Sequence, residues 1–142
     1  MLRVVSGLLF SPTEPPKVLM GLRKPTGFRP DLWELPGGKV ERNEQPEVAL
    51  AREWKEELGA DIVVGDFITS ALVEAEIDFV VDLYNVDCTN LSEIKNLDHV
   101  KLDWVEPRYA VTSLPCSPAF YRHYRHIDNL IKAIGREILF GG

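Results

Sequence analysis

Three glutamates, Glu53, Glu56 and Glu57, lie close together in a chain of 142 residues. They fall within residues 47 to 58, a segment that contains neither Gly nor Pro and is rich in helix-forming residues. At about 100° per residue, the three carboxylates occupy one arc of the predicted helix. The spacing therefore predicts a cluster of carboxylates that can converge on one ligand.

The ends of this helix make the cluster unusual. Pro46 is suited to a first helical turn, and Gly59 supplies the C-terminal stop. Glu53 and Glu57 form an i,i+4 pair of like charges, which destabilises a helix by about 0.2–0.5 kcal/mol. Glu56 and Glu57 lie in the last turn, where the helix dipole disfavours anions by about 0.3–1 kcal/mol each. A bound cation explains this placement, and an all-oxygen ligand set favours Mg²⁺ or Mn²⁺ over zinc.

Each glutamate also has a simpler interpretation, because exposed helices commonly carry a solvated acidic face. Arg52 has one as well, an i,i+4 ion pair with Glu56. The apolar residues predict how the helix packs: a stripe should face the core, and Ala49 should lie among the carboxylates, where it leaves room for a ligand. The predicted stripe consists of Leu50, Ala51, Trp54 and Leu58.

From Gly38 to Ala60 the sequence reads G-x5-E-x7-R-E-U-x-E-E-x-G-U, where U is an apolar residue. This pattern is similar to the signature of the Nudix hydrolases, so the chain resembles a member of that family. The resemblance implies a Mg²⁺-dependent hydrolase of nucleoside diphosphates linked to another group. It also implies an α/β fold, the Nudix-type α/β/α sandwich with a mixed sheet.

The resemblance assigns a role to each residue of the pattern. Glu53 acts as general base, Arg52 orients a catalytic glutamate, and Glu44 supports the site without binding metal. The implied metal ligands are Glu53, Glu56, Glu57 and the backbone carbonyl of Gly37.

Substrate-binding residues are predicted outside the pattern. Arg23 resembles a position that contacts phosphate in MutT-like members, and Lys39 offers a second cation. MutT-like relatives place a further acidic residue near the metal. Asp103 is the main candidate, with a strand-face aspartate as an equal alternative, and Asp98 is a second candidate.

The substrate class is predicted from neighbouring segments. The stretch LWELPGGKVE resembles the MutT-like branch, which converts nucleoside triphosphates to monophosphate and pyrophosphate. Residues 113 to 119 lack the asparagine that accompanies selectivity for oxidised guanine, and residues 73 to 77 lack the Pro or Tyr of the ADP-ribose and dinucleotide branches. The alternatives are an ADP-ribose or dinucleotide pyrophosphatase, and a non-catalytic nucleotide-sensing module.

Size and charge restrict the remaining classes. The length predicts a single domain over residues 1 to 142. A net charge of −6 argues against stable nucleic-acid binding. It also means that metal and local cations are needed to hold an anionic nucleotide.

Cys88 and Cys116 match no metal or redox spacing, and the apolar N-terminal stretch is too short for a membrane span. We expect a cytoplasmic enzyme without membrane contact; the oligomeric state stays open, a homodimer included.

Strands are predicted over residues 2–10, 17–22, 33–35, 77–86 and 101–105, with one or two more over residues 62–73. Residues 36–38 should form a tight turn or approach a ligand. Residues 24–31 should form a loop. Ser117 and Pro118 should start a helix that runs to about residue 139. Its predicted core face consists of Phe120, Tyr124, Ile127, Ile131, Ile134 and Ile138.

Overall fold

A computed structural model describes residues 1–25 and 30–140, the last four of these through their backbone only. This part of the chain contains seven strands and three α-helices. In chain order they are β1 (Leu2–Leu8), β2 (Val18–Leu22), β3 (Trp33–Glu34), β4 (Gly37–Lys39), α1 (Pro46–Leu58), β5 (Ile62–Val73), β6 (Phe79–Cys88), β7 (Lys101–Val105), α2 (Pro107–Ser113) and α3 (Pro118–Phe140). A short 3-10 helix, Leu91–Glu93, follows β6.

The strands form two sheets. The larger is mixed and has the order β4-β1-β6-β5, in which β1 runs parallel to β6 while β4 and β5 are antiparallel to their neighbours. The smaller has the order β3-β2-β7 and is antiparallel. The prediction of one mixed sheet is therefore refined to a mixed sheet accompanied by a second, antiparallel one.

Two hydrophobic clusters lie on opposite faces of these sheets. On one side, α1 contributes Leu50, Trp54 and Leu58, which pack with alternate residues of β1 and β2. On the other side, Phe120 and Ile127 of α3 pack against the opposite faces of the same strands. Helices therefore cover both faces of the strand layer, which confirms the predicted α/β/α sandwich.

The ends of the two long helices agree with the sequence. Gly59 ends α1 with φ 62°, and its N–H donates to the carbonyl of Lys55, as expected for a glycine stop. Ser117 caps α3, since its Oγ accepts a hydrogen bond from the Phe120 N–H at 3.3 Å. The predicted core position Ile138 lies outside the side chains that the structure describes.

Other predictions were incomplete or wrong. Ala49 is fully buried in the core, while Ala51 is half-buried. The buried face of the helix therefore includes Ala49, on the side of the carboxylates, in place of Ala51. Residues 37–39 form β4 rather than a turn, because they pair with β1. The helix α2 was not predicted, although Pro107 begins it.

Among the described residues no helix is both long and apolar enough to cross a bilayer.

Candidate active site

The buried Trp54 fixes α1 relative to the strands. Its indole N–H donates to the carbonyl of Pro36 at 2.9 Å, and its ring lies against Gly7, where an added Cβ would come within 2.8 Å of the ring. A single side chain of α1 thus joins the helix to β1 and to the start of β4. This contact brings Gly37 and Gly38 beside the carboxylates of the helix.

The two glycines of β4 are needed for close approach. A Cβ on Gly37 would collide with the Val5 carbonyl in β1, and a Cβ on Gly38 would lie 2.6 Å from both carboxylate oxygens of Glu53. Gly38 therefore provides the space that the Glu53 carboxylate occupies. Of the two predicted alternatives, the tight turn is replaced by a strand that pairs with β1, and the close approach to a ligand stays a prediction.

Gly38→Ala should lower catalytic activity roughly 10–100-fold, because the new methyl group displaces the Glu53 carboxylate by an ångström or more. The matched control is Gly135→Ala in α3, where an added Cβ meets nothing within 4 Å. Activity and thermal unfolding should be measured for both. Full activity in Gly38→Ala would show that the position of the Glu53 carboxylate is unimportant.

Arg52 forms hydrogen bonds or ion pairs with several of the acidic residues around α1. Its guanidinium donates to both oxygens of Glu44, from Nε at 2.9 Å and from Nη2 at 3.0 Å, and to Glu53 Oε1 from Nη1 at 2.9 Å. A further bond reaches the Lys39 carbonyl in β4, and Glu56 lies 3.5 Å away. Both sequence interpretations of Arg52 are seen together, the i,i+4 pair and the contact with Glu53.

The pKa of Glu44 is shifted in the opposite direction from the pKa values of Glu53 and Glu57. The hydrogen bonds from Arg52, assisted by the Glu41 N–H, lower the pKa of Glu44 to about 2, so Glu44 stays ionised. Glu44 in turn raises the pKa of Arg52. Glu44 therefore holds Arg52 in place through both of its carboxylate oxygens.

Glu57 has the most perturbed environment in the site. Burial, followed by the nearby charges of Glu53, Glu34 and Asp98, raises its pKa to about 9, and a hydrogen bond from the Gly37 backbone opposes this only in part. Its Oε2 atom is buried without a hydrogen-bond partner among the described residues. Burial also raises the pKa of Glu53, against the opposing effect of Arg52. Such carboxylates are typical of functional sites.

Glu57 lies at one end of a cleft of about 710 Å³. Three cations also line this cleft: Arg23 and Lys24 just after β2, and Lys39 in β4. Arg23 lies 3.6 Å from Glu34 and Lys24 lies 3.6 Å from Asp98. The cleft thus presents positive side chains beside an acidic helix end, which is the arrangement needed for a polyphosphate that carries a metal ion.

The other end of the cleft is largely apolar. Its walls come from β1, β6 and the first turns of α3, with Ser6, Ser117 and His123 as the polar contributions of those elements. His123 is 1% exposed and donates from Nε2 to the Val81 carbonyl at 3.1 Å. Burial lowers the pKa of His123 to about 4, so the ring is neutral at pH 7. This end offers a neutral surface suited to a planar or apolar group.

The two candidate acids beyond the helix lie in different places. Asp98 lines the cleft and is close enough to Glu57 to raise its pKa. Asp103 lies on β7 opposite Met20 and lines a separate groove near Pro12. Asp103 is thus outside the cleft because the strand carries it to the far side. The preference for Asp103 over Asp98 is not supported by this placement.

The donor set fits a hard divalent cation. Among the described residues, no three His, Cys, Asp or Glu side chains are already gathered into a metal site. Arg52 explains this, since it holds Glu53 and Glu56 by its own guanidinium. The unpartnered buried oxygen of Glu57 and its raised pKa are both relieved by a cation. Glu53, Glu56, Glu57 and the Gly37 carbonyl would offer such a cation the oxygen donors that it prefers.

Sequence reasoning missed Glu34 and His99, whose side chains meet at the cleft. Glu34 directly precedes the LPGG stretch, so its position beside the glycines was a usable indication. His99 lies in the loop before β7, where no periodic pattern marks it. The pair is separated by 65 residues in sequence, a distance over which local patterns carry no information.

Comparison with known proteins places the fold and the site in context. A family model described as the NUDIX domain matches residues 1–122. The CTP pyrophosphohydrolase of Escherichia coli (strain K12) is 32% identical over 104 residues, which cover 72% of this chain and 76% of that protein. The 8-oxo-dGTP diphosphatase of Proteus vulgaris is 63% identical over 31 residues, but these span only 28% of its length.

Solved structures agree with this assignment. The solution structure of the E. coli ORF135 protein has a TM-score of 0.80 at 29% identity, over 94% of this chain and 92% of that one. The MutT protein from Methanosarcina mazei Go1 has a TM-score of 0.79 at 22% identity, over 90% and 93% of the two chains. The second of these supports the fold alone.

Proposed function

The chain belongs to the Nudix family, and from this premise we propose that it hydrolyses a nucleoside triphosphate to a nucleoside monophosphate and pyrophosphate with a divalent cation, Mg²⁺ or Mn²⁺. The observation that carries the proposal is the buried, unpartnered Glu57 carboxylate at the end of a cleft that also presents three cationic side chains. Such a cleft matches the charge pattern of a metal-bound triphosphate at one end and a nucleoside at the other.

The residues divide the chemical work. A bound divalent cation supplies charge neutralisation at the phosphates and lowers the pKa of water. Glu53 then accepts a proton from the attacking water while the new P–O bond forms and the phosphoanhydride bond breaks. The electron pair of the broken bond leaves with the departing phosphate group. Arg52, bonded to Glu53 at 2.9 Å, fixes the direction in which that carboxylate points.

Charge balance supports the role of the cations. A triphosphate brings about four negative charges to a protein whose net charge is already −6. Arg23 and Lys39 line the same cleft as Glu57, and we assign them to the phosphates. Arg23 is held only loosely, at 3.6 Å from Glu34, so its guanidinium can turn to a substrate.

The apolar end of the cleft should take the nucleoside. Phe79 and Val81 of β6 and Phe120 of α3 provide flat or apolar surface there. The relative with the longest curated match is named for CTP, and the relatives with shorter matches include enzymes named for 8-oxo-dGTP. Residues 113 to 119 contain no asparagine, which favours an unmodified triphosphate over the oxidised guanine nucleotide.

The test is a hydrolysis screen with products identified. The panel contains normal and oxidised NTPs and dNTPs, ADP-ribose, dinucleoside polyphosphates and triphosphate-ended RNA, each with Mg²⁺, with Mn²⁺ and with a chelator. Monophosphate plus pyrophosphate from a triphosphate, lost on chelation, is the expected result. Cleavage confined to ADP-ribose or a dinucleotide would replace the proposal with a different pyrophosphatase activity. Nucleotide binding without turnover of any substrate would indicate a sensing module.

A further inference from the structure

His99 is buried against the strand that precedes Arg23. Its side chain is 2% exposed and lies over Gly21 in β2, where an added Cβ would come 2.7 Å from the ring Nε2. Both His99 and the residue before it, Asp98, border the cleft, but almost all of the His99 side chain is covered by protein. The absence of a side chain at Gly21 therefore creates the space for this imidazole.

The ring makes one hydrogen bond and leaves its other nitrogen unpaired. Nε2 lies 3.0 Å from Glu34 Oε2, and since an ionised carboxylate only accepts, Nε2 donates. Nδ1 is buried and has no partner among the described residues. A buried polar atom without a partner costs stability. An apolar residue would fill the space without that cost, so the bond to Glu34 is the feature that a histidine adds here.

Glu34 connects His99 to the cleft. Its second oxygen, Oε1, lies 3.6 Å from Nη1 of Arg23, so each carboxylate oxygen has its own partner. Arg–carboxylate pairs favour two parallel hydrogen bonds when both oxygens are free. The bond from His99 to Oε2 holds the carboxylate in an orientation in which Oε1 faces Arg23 at 3.6 Å, so Arg23 is weakly held and a third exposed.

Hydrogen bonds of the surrounding backbone hold His99 in place. The loop before β7 is tied to α1 through Leu97 N–H to the Glu57 carbonyl at 2.9 Å, and to β2 through Val100 N–H to the Leu22 carbonyl at 2.9 Å. His99 N–H also donates to Asn96 Oδ1. These bonds restrain the imidazole, which in turn orients the Glu34 side chain through their hydrogen bond.

We propose that His99 is a positioning residue for substrate binding: it holds Glu34 so that Arg23 stays available to the substrate phosphates. The inference rests on the proposed triphosphate hydrolysis. His99 is too buried to contact the substrate, and its effect passes through Glu34 to Arg23. Loss of the His99 bond allows Glu34 to pair with Arg23 through both oxygens, which withdraws the guanidinium from the phosphates.

The experiment is steady-state kinetics on the intact protein with the triphosphate that it cleaves best. His99→Leu should raise KM at least about fivefold and change kcat less than about twofold, the pattern of an interaction made equally in ground and transition states. His99→Gln should keep KM near the wild-type value, because its amide Nε2 can donate from a similar place. Arg23→Ala should raise KM, and His99→Leu added to it should cause no further rise.

The outcomes separate this inference from the proposed function. A wild-type KM in His99→Leu, a loss confined to kcat, or additive effects with Arg23→Ala would overturn the role of His99 while leaving the hydrolysis intact. Failure of the wild-type protein to cleave any triphosphate would remove the proposed function itself. Should His99→Leu not fold, Gly21→Ala replaces it, since its methyl group displaces the same ring and should raise KM in the same Arg23-dependent way.

Discussion

Replacing Glu57 with Gln is expected to abolish Mg²⁺-dependent hydrolysis, by at least about a thousandfold, and to make the metal-free protein more stable near pH 8. The carboxylate is buried, and its pKa of about 9 arises from that burial and from the charges of Glu53, Glu34 and Asp98. Glutamine keeps the shape and removes the charge. It therefore removes the proposed metal ligand and the unfavourable buried charge together.

The pH dependence follows from the direction of this shift. The folded-state pKa of Glu57 lies above its unfolded value of 4.5, so its stabilising contribution is complete below about pH 4.5. That contribution is lost as the pH rises toward 9. Relative to Glu57→Gln, the wild-type protein should lose on the order of 4 kcal/mol of unfolding free energy between pH 5 and pH 8 without metal, at about 1.4 kcal/mol per pH unit. Added Mg²⁺ should restore stability to the wild type alone, and more strongly at higher pH.

Urea unfolding at pH 5, 7 and 8, with chelator or with Mg²⁺, measures this difference, and product analysis measures turnover. Glu14→Gln is the matched control, because it removes one negative charge at an exposed position in the loop after β1. That variant should unfold and turn over like the wild type at every pH. Wild-type turnover by Glu57→Gln would exclude Glu57 as a metal ligand, whatever its stability.

The acidic helix could be predicted because its determinants are local. Pro46, the uninterrupted helix formers and the left-handed Gly59 set the ends of α1, and the carboxylate arc follows from the helical repeat. The repeat gives the relative angles of side chains but not the direction in which the helix is rotated. The rotation of the helix about its axis is set by a long-range contact, the hydrogen bond from Trp54 to the Pro36 carbonyl. With this rotation Ala49 is buried in place of Ala51.

The acids and cations beyond the helix were harder to predict, because their positions depend on long-range pairing. Asp98 and Asp103 differ by five residues, yet one lines the cleft and the other lies on β7 at a separate groove. What separates them is the start of β7 at Lys101 and the backbone bonds that tie the preceding loop to α1 and β2. The short β4 likewise exists only through its pairing with β1.

Replacing Glu53 with Gln should slow the chemical step roughly 10²–10⁴-fold and change nucleotide affinity little, as expected for loss of a general base. Arg52 holds Oε1 of this carboxylate at 2.9 Å, and Gly38 leaves room for it beside β4. Burial raises the pKa of Glu53 against the opposing effect of Arg52. The wild-type rate should therefore rise with pH as this carboxyl ionises, and Glu53→Gln should lose that acidic limb.

Single-turnover rates from pH 4 to 9 and equilibrium binding of a slowly hydrolysed triphosphate analogue measure the two effects separately. Arg52→Lys is an informative companion variant, because lysine keeps the charge but cannot bond both Glu44 and Glu53 in the forked geometry of the guanidinium. It should lower the rate less than Glu53→Gln and preserve the acidic limb. A Glu53→Gln protein that mainly loses affinity, with the limb retained, would show that Glu53 binds the metal complex and that another group removes the proton. Asp98, which lines the cleft beside Glu57, would then be the residue to replace next.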